Sequence, residues 1–376
     1  MDRKLSRRDF IKMGIGGLAG VGGLSMISGC IDSGFEEERK TEFIDMFDRS
    51  VKIPGEIGSF VCLGSGCLRM TSYLLAGREV DDFVVGVEDY EHSNMSRPYS
   101  MAFPEFQEKP IIGPSNEGDA EKILSVDPDV ILAVNAPSID HDMLQEQTGK
   151  PVVKLDHPST LGGISNPDTG IGTLYDCIEM IGDVLGFEER ADEVVSLFQY
   201  YINDILDRGS EGGLDRRIFV GGATWRGAQG IRSTIPIFPP LKLNGFKNMD
   251  GMLEDVQTGE RVEVDPEKLI EYDPEIMFVD AMGEHIVRED AEEPEYRDIS
   301  AVKSNQVYRL YPYNQFNTEF TTVLVNSYLV GRQLNPDNYS DIEPVKLMNN
   351  IYSDFFGEKI AEEMVSKWGA PGKIEL

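Results

Sequence analysis

Short apolar runs alternate with polar, helix-spaced stretches through most of this chain. Ser59-Phe60-Val61-Cys62 predicts a strand that runs into Gly64-Ser65-Gly66, and residues 68–75 then predict a helix facing that Gly-rich turn. Further strands are predicted over 82–87, 109–113, 129–134 and 151–155, with helices over 120–125 and 140–148 between them. Strands and helices in this alternation indicate a parallel α/β lobe.

The texture changes from about residue 172 to 208. Tyr175, Ile178, Ile181, Val184 and Leu185, then Ala191, Val194, Val195, Phe198 and Ile202, recur at helical spacing on either side of Gly186. This reads as a long, interrupted helix that leaves the first lobe and crosses to a second. There, residues 217–222, 274–279 and 306–310 predict strands, and 323–330 and 352–368 predict closing helices. Ser125-Val126-Asp127-Pro128-Asp129-Val130-Ile131-Leu132 is echoed by Glu271-Tyr272-Asp273-Pro274-Glu275-Ile276-Met277-Phe278. In each, Asp-Pro ends a helix and launches a buried strand, because proline lacks the donor that helix continuation needs. The expected fold is α/β, two Rossmann-like lobes joined by a long bridging helix, with a cleft between them. The expected boundaries are a signal over 1–29, a polar tether over 30–50, lobes over 51–170 and 210–376, and the bridge over 171–209.

The amino terminus changes the picture. Ser6-Arg7-Arg8-Asp9-Phe10-Ile11-Lys12 precedes a Gly-rich apolar stretch ending Ile27-Ser28-Gly29-Cys30, a twin-arginine export signal in front of a lipoprotein cleavage box. Seven glycines between residues 13 and 29 make the segment a poor membrane span. The mature chain is expected to begin at Cys30, to carry lipid on that sulfur and to work outside the cytoplasm. The formal charge is -31, and about -34 without the basic signal. Such a field disfavours nucleic acid and anionic lipid surfaces, so the membrane is met through the anchor only. Acid spread over the whole surface suits a halophilic protein, whose charges are screened by salt. Cys62 and Cys67 bracket Leu63-Gly64-Ser65-Gly66, a spacing open to a small disulfide, two buried thiols or two metal thiolates, while Cys177 reads as a buried helix thiol.

The chain resembles the substrate-binding proteins of ABC importers for iron complexes and cobalamin. The matching pieces are Gly64-Ser65-Gly66, Val85-Gly86-Val87-Glu88, Arg97-Pro98-Tyr99, Lys109-Pro110-Ile111-Ile112-Gly113, Asp127-Pro128-Asp129-Val130-Ile131, Gly149-Lys150-Pro151-Val152-Val153, Val307-Tyr308 and Gly331-Arg332-Gln333-Leu334-Asn335-Pro336. The resemblance implies a class III periplasmic-binding fold with a helical backbone, a monomer that binds solute without catalysis or an intrinsic cofactor, and ABC permease transmembrane subunits with their ATPase as partners. It also implies that acidic residues at the lobe tips meet the permease; Glu88 and Glu91 in the first lobe and Glu254 and Asp255 in the second are the candidates.

Ligand residues are expected in loops after the strands. Arg69 beside the Gly-rich turn suits an anion, or a structural salt bridge. Arg97 and Tyr99 end a long polar loop beside the cleft. In the second lobe Trp225 offers a flat face, and Arg226 and Arg232 offer positive charge or neutralise neighbouring acid. Tyr313 and Asn314, after residues 306–310, offer hydrogen bonds to a chelate, or a tyrosinate to ferric iron. The four histidines, at 92, 141, 157 and 285, are scattered, and no HExxH, GxSxG or Walker motif is present, which counts against an exported α/β enzyme and against a naked zinc ion. An iron(III)-siderophore or related iron chelate is the expected ligand; molybdate or tungstate, and a corrinoid, are the alternatives on the same scaffold. Replacing Cys30 with Ala is expected to release the mature protein from membranes into the soluble fraction in high salt, read by fractionation and blotting.

Overall fold

The computed structural model describes residues 41–92, 96–158, 171–209, 216–224, 227–253, 261–315 and 317–376. A hairpin of β1 (Glu42–Ile44) and β2 (Ser50–Lys52) opens it, with Phe43 and Val51 buried on one face. The chain is therefore already folded inside the stretch expected to be a tether. The two strands were too short to show a period of their own.

The first lobe is a parallel sheet of β3 (Phe60–Leu63), β4 (Val84–Gly86), β5 (Val130–Val134) and β6 (Val152–Leu155) in the order β4-β3-β5-β6. All of β5 is buried, as a strand covered on both faces must be. Helix α1 (Cys67–Ser72) follows β3, while α2 (Ala120–Val126) and α3 (His141–Thr148) flank β5. Residues 109–113 contribute only a bridge, Val87 to Ile111, because Pro110 has no donor for a ladder. Residues 80–83, at the start of the expected second strand, are helical.

The bridge is two helices, α4 (Ile171–Leu185) and α5 (Glu188–Arg208), separated at Gly186, whose φ of 73° takes the left-handed turn that ends α4. Helix α4 packs on α1, and α5 reaches the second lobe. That lobe has β7 (Ile218–Gly221), β10 (Ile276–Asp280) and β11 (Val307–Leu310) in parallel, with β14 (Gly372–Lys373) antiparallel at the edge. A ribbon of β8 (Ser233–Thr234) and β9 (Val262–Glu263) lies beside β7. Helix α6 (Pro266–Tyr272) leads into β10. Asp127 and Asp273 both adopt left-handed backbone, with φ of 48° and 43°, so the sequence echo is a shared helix cap. A hairpin of β12 (Asn314–Gln315) and β13 (Asn317–Thr318) then leads into α7 (Phe320–Leu334), α8 (Pro344–Phe356) and α9 (Ala361–Trp368). Gly357 divides the single closing helix expected over 352–368.

One junction joins these parts. Arg190 on α5 donates to the carbonyls of Tyr73 (3.0 Å), Asp354 (2.7 Å) and Phe355 (3.0 Å). Beside it the ring of Phe198 lies 5.6 Å from that of Tyr73 and 4.4 Å from that of Phe355. Among the described residues no helix is long and apolar enough to cross a membrane.

Helix α7 is pinned at Gly331, where a Cβ would collide with the Tyr339 ring and Asn244 Oδ1. Helix propensity alone favours Gly331→Ala by about 1 kcal/mol. Overpacking of about 1–3 kcal/mol is expected to win, so the variant should unfold at lower urea than the parent.

Candidate functional site

The strand ends of the two lobes meet at a buried seam. On the first lobe, β3 ends in Gly64-Ser65-Gly66, with φ of 84° at Gly64 and 94° at Gly66. A side chain at Gly64 would strike Val134, and one at Gly66 would strike Asn317 of the second lobe, so close approach requires glycine at both. The turn is held from behind. Glu88 accepts the Gly64 N–H at 2.9 Å and the Asn116 N–H at 2.7 Å, and Asn116 Oδ1 accepts both the N–H and the hydroxyl of Ser65, at 2.7 and 2.9 Å. Burial pushes the Glu88 carboxyl up to about 8, against the pull of the two N–H donors.

Arg69, on α1, is 1% exposed. Its Nη2 donates to the Gln315 carbonyl at 2.8 Å, and its Nε lies 3.1 Å from Glu319 Oε2 across the seam. The angle denies that contact a hydrogen bond, and Nη1 has no hydrogen-bond partner at all. The other oxygen of Glu319 accepts from Thr321 Oγ1 at 3.0 Å and the Tyr73 hydroxyl at 3.4 Å. Burial raises this carboxyl, and Arg69 partly offsets the rise. Ser96 Oγ donates to Gln315 Oε1 at 3.0 Å, and Asn317 Nδ2 donates to the Ser65 carbonyl at 3.0 Å. His157 Nε2 lies 3.4 Å from the same Asn317 nitrogen. Burial lowers the His157 ring below its ordinary value, in keeping with a neutral acceptor there.

On the second lobe, Asp280 at the end of β10 accepts from Thr224 Oγ1 at 2.8 Å and the Met282 N–H at 2.9 Å. Burial raises it to about 6. Tyr313 is 2% exposed and its hydroxyl has no hydrogen-bond partner. Burial, then the nearby Asp280 charge, raises this phenol well above its ordinary value, so it stays a hydrogen-bond donor and not a tyrosinate.

Of the residues singled out in the sequence, Arg69, Tyr313 and Asn314 come to the seam or the hairpin beside it. Others do not. Arg97 is fully buried inside the first lobe, where Nη2 donates to Glu91 at 3.0 Å and to the Tyr90 carbonyl at 3.2 Å. The Tyr99 hydroxyl donates to both Glu91 oxygens, at 2.8 and 2.9 Å. This trio holds the polar loop to the lobe, and the Arg69 guanidinium lies 5.4 Å over the Tyr99 ring, so the trio backs the seam through Arg69. Glu88 and Glu91 are each 2% exposed, so neither presents a carboxylate to a permease. Arg232 pairs at 2.6 Å with Glu263, which Arg261 also engages at 2.6 Å, the neutralising role that was its alternative. Cys62 and Cys67 are free, buried thiols, not a disulfide; Cys62 donates to Thr71 Oγ1 and Cys67 to the Leu132 carbonyl, each at 3.4 Å. Trp225, Arg226, Glu254, Asp255 and Cys30 lie outside the described residues.

The sequence reading missed Glu319, Asn116 and Asp280, and passed over His157 as scattered. Only Glu319 had a local signal, an acid immediately before the apolar run of α7. Among the described residues no three His, Cys, Asp or Glu side chains converge to hold a metal ion.

A profile of the family described as periplasmic binding protein matches residues 69–313. The molybdate-binding protein MolA of Haemophilus influenzae is 22% identical over 335 residues, 83% of this chain and 90% of that protein. Its molybdate-bound structure superposes with a TM-score of 0.66 at 20% identity, covering 85% of this chain and 99% of that one. A periplasmic solute-binding protein of Veillonella parvula gives 0.66 at 15% identity, covering 87% and 96%. An ABC transporter solute-binding protein of Sulfurospirillum deleyianum gives 0.60 at 20%, covering 87% and 98%. At these identities the structural likeness speaks for the fold.

The folded protein keeps a proton on Glu88 up to about pH 8, whereas the unfolded chain releases it near 4.5. Between those values the folded state binds the extra proton, so this group's contribution to stability falls as pH rises. Urea unfolding at pH 5, 6.5 and 8 is expected to show that decline, and Glu88→Gln, which removes the titrating group and one of the two N–H acceptors, to flatten it at lower overall stability.

Proposed function

Since the chain belongs to the periplasmic binding protein family, whose members bind solutes outside the cytoplasm for ABC importers, we propose that it captures a small oxyanion of the molybdate or tungstate class at the seam around Arg69. The observation that carries this reading is a guanidinium buried between the lobes with a nitrogen left without a hydrogen-bond partner. A buried cation in that state is poised for an anionic acceptor. The Tyr313 hydroxyl adds a second donor without a partner. Direct bonds between the lobes, at 2.8 Å from Arg69 to Gln315 and 3.0 Å from Asn317 to Ser65, suit a small ligand better than a macrocycle. The likeness to a protein named for molybdate binding, along most of both chains, supports the same class.

An anionic iron(III) chelate is the second reading, favoured by the Tyr313 hydroxyl. Its raised pKa makes it a donor to a chelate's oxygens and disfavours direct ligation of the iron. In either case function is capture and delivery. The protein is anchored through lipid on Cys30 after twin-arginine export, works as a monomer in high salt, and hands its ligand to the permease by a modest rocking of lobes held by α5.

Titration calorimetry of the mature protein with molybdate, tungstate, sulfate, a ferric catecholate and cyanocobalamin tests this. Molybdate or tungstate is expected to bind. Arg69→Met should weaken that binding by about 100-fold, the loss of hydrogen bonds to one charged group, with the circular dichroism spectrum retained. Binding of the ferric chelate and of neither oxyanion would transfer the assignment to the second reading.

A further inference from the structure

The ion pair between Arg69 and Glu319 joins the two lobes in a setting where both side chains are 2% exposed. Burying two charges costs several kcal/mol for each ion before their attraction is counted, so the pair is tolerated only while each charge has the other. Glu319 Oε2 has no hydrogen-bond partner, and Arg69 is the cation that faces it. The groups packed around the carboxylate are Arg69 and the phenol Tyr73 from the first lobe, Thr321 on its own helix, the phenol Tyr352 from α8, and the more distant Arg97. Both phenols are held neutral by burial.

We infer that Glu319 is the internal counter-ion of the binding site and takes up a proton from solvent when an anionic ligand claims Arg69. This inference rests on the oxyanion reading above. In the empty seam one guanidinium balances one carboxylate. A dianion drawn to Arg69 puts two further negative charges beside Glu319, with no new cation to balance them. A carboxylate so placed protonates instead of remaining charged. Burial already raises this carboxyl in the empty protein, against the pull of Arg69, and the added charge of the ligand acts in the same direction. No bond is made or broken apart from the O–H, and buffer supplies the proton. Glu319 thereby links the charge of the solute to the protonation of the protein, and affinity falls as pH rises through the range where the empty protein's Glu319 is ionised, by up to about tenfold per pH unit.

The test is calorimetric titration of the mature protein with sodium molybdate at several pH values, at each pH in buffers of different ionisation enthalpy, repeated with Glu319→Gln. The wild type is expected to take up about one proton per molybdate. Glu319→Gln is expected to take up none, to lose the pH slope of affinity, and to bind at least tenfold more tightly at the upper end of the pH range. Molybdate binding without proton uptake overturns the inference and leaves the oxyanion reading standing. Uptake that persists in Glu319→Gln also overturns it and assigns the proton to another group, His157 first. Absence of binding by molybdate and tungstate defeats the oxyanion reading itself, and this inference with it. Should Glu319→Gln fail to fold, His157→Gln takes its place: a wild-type count of zero, or an uptake that disappears in His157→Gln, rejects the inference, and an uptake of one proton that survives in His157→Gln supports it.

Discussion

The arrangement depends on one arginine that does not touch the seam. Arg190 satisfies carbonyls at the end of α1 and at the end of α8 from a single side chain on α5. These are helix-terminal acceptors that would otherwise be orphaned in an apolar junction. The aromatic rings of Tyr73, Phe198 and Phe355 fill the space beside them. With both lobes fixed to one rigid helix at the back, the loops after β3 and the hairpin before α7 are brought face to face at the front. The close approach at Gly66, the Gln315 carbonyl on Arg69 and the pairing of Glu319 follow from that fixed separation.

Much of the architecture was legible because its signals are local. Asp127-Pro128 and Asp273-Pro274 mark equivalent helix ends in both lobes, and the structure gives both aspartates the same left-handed backbone. Residues 129–134 and 274–279 read as strands because covered strands need uninterrupted apolar side chains. The misreadings also have local causes. Residues 109–113 are apolar enough for a strand, but proline and an exposed edge reduce them to one bridge. The β1–β2 hairpin buries two side chains from strands of three residues, below the length at which alternation can be seen.

The site was harder to read, because it is built from long-range pairing. Nothing near Arg97 in the sequence distinguishes a guanidinium aimed at a ligand from one locked on Glu91, six residues away, beneath the rings of Tyr90 and Tyr99. Arg69 and Glu319 are 250 residues apart, and only the fold shows that they share a seam. In so acidic a chain, a carboxylate carries almost no information until its burial is known. Glu88, Glu91, Asp280 and Glu319 differ from the many surface acids by being buried, and each organises donors or cations around it.

The three described cysteines have a practical corollary. All are sealed beneath the core, and burial raises the thiols of Cys67 and Cys177 away from the reactive thiolate form. The described surface is thus silent to thiol reagents in the folded state. A single cysteine introduced on each lobe would be a selective attachment point for spin labels or fluorophores, with the native thiols left in place. The distance between the lobes thereby becomes a quantity that can be followed in solution as the protein fills and empties.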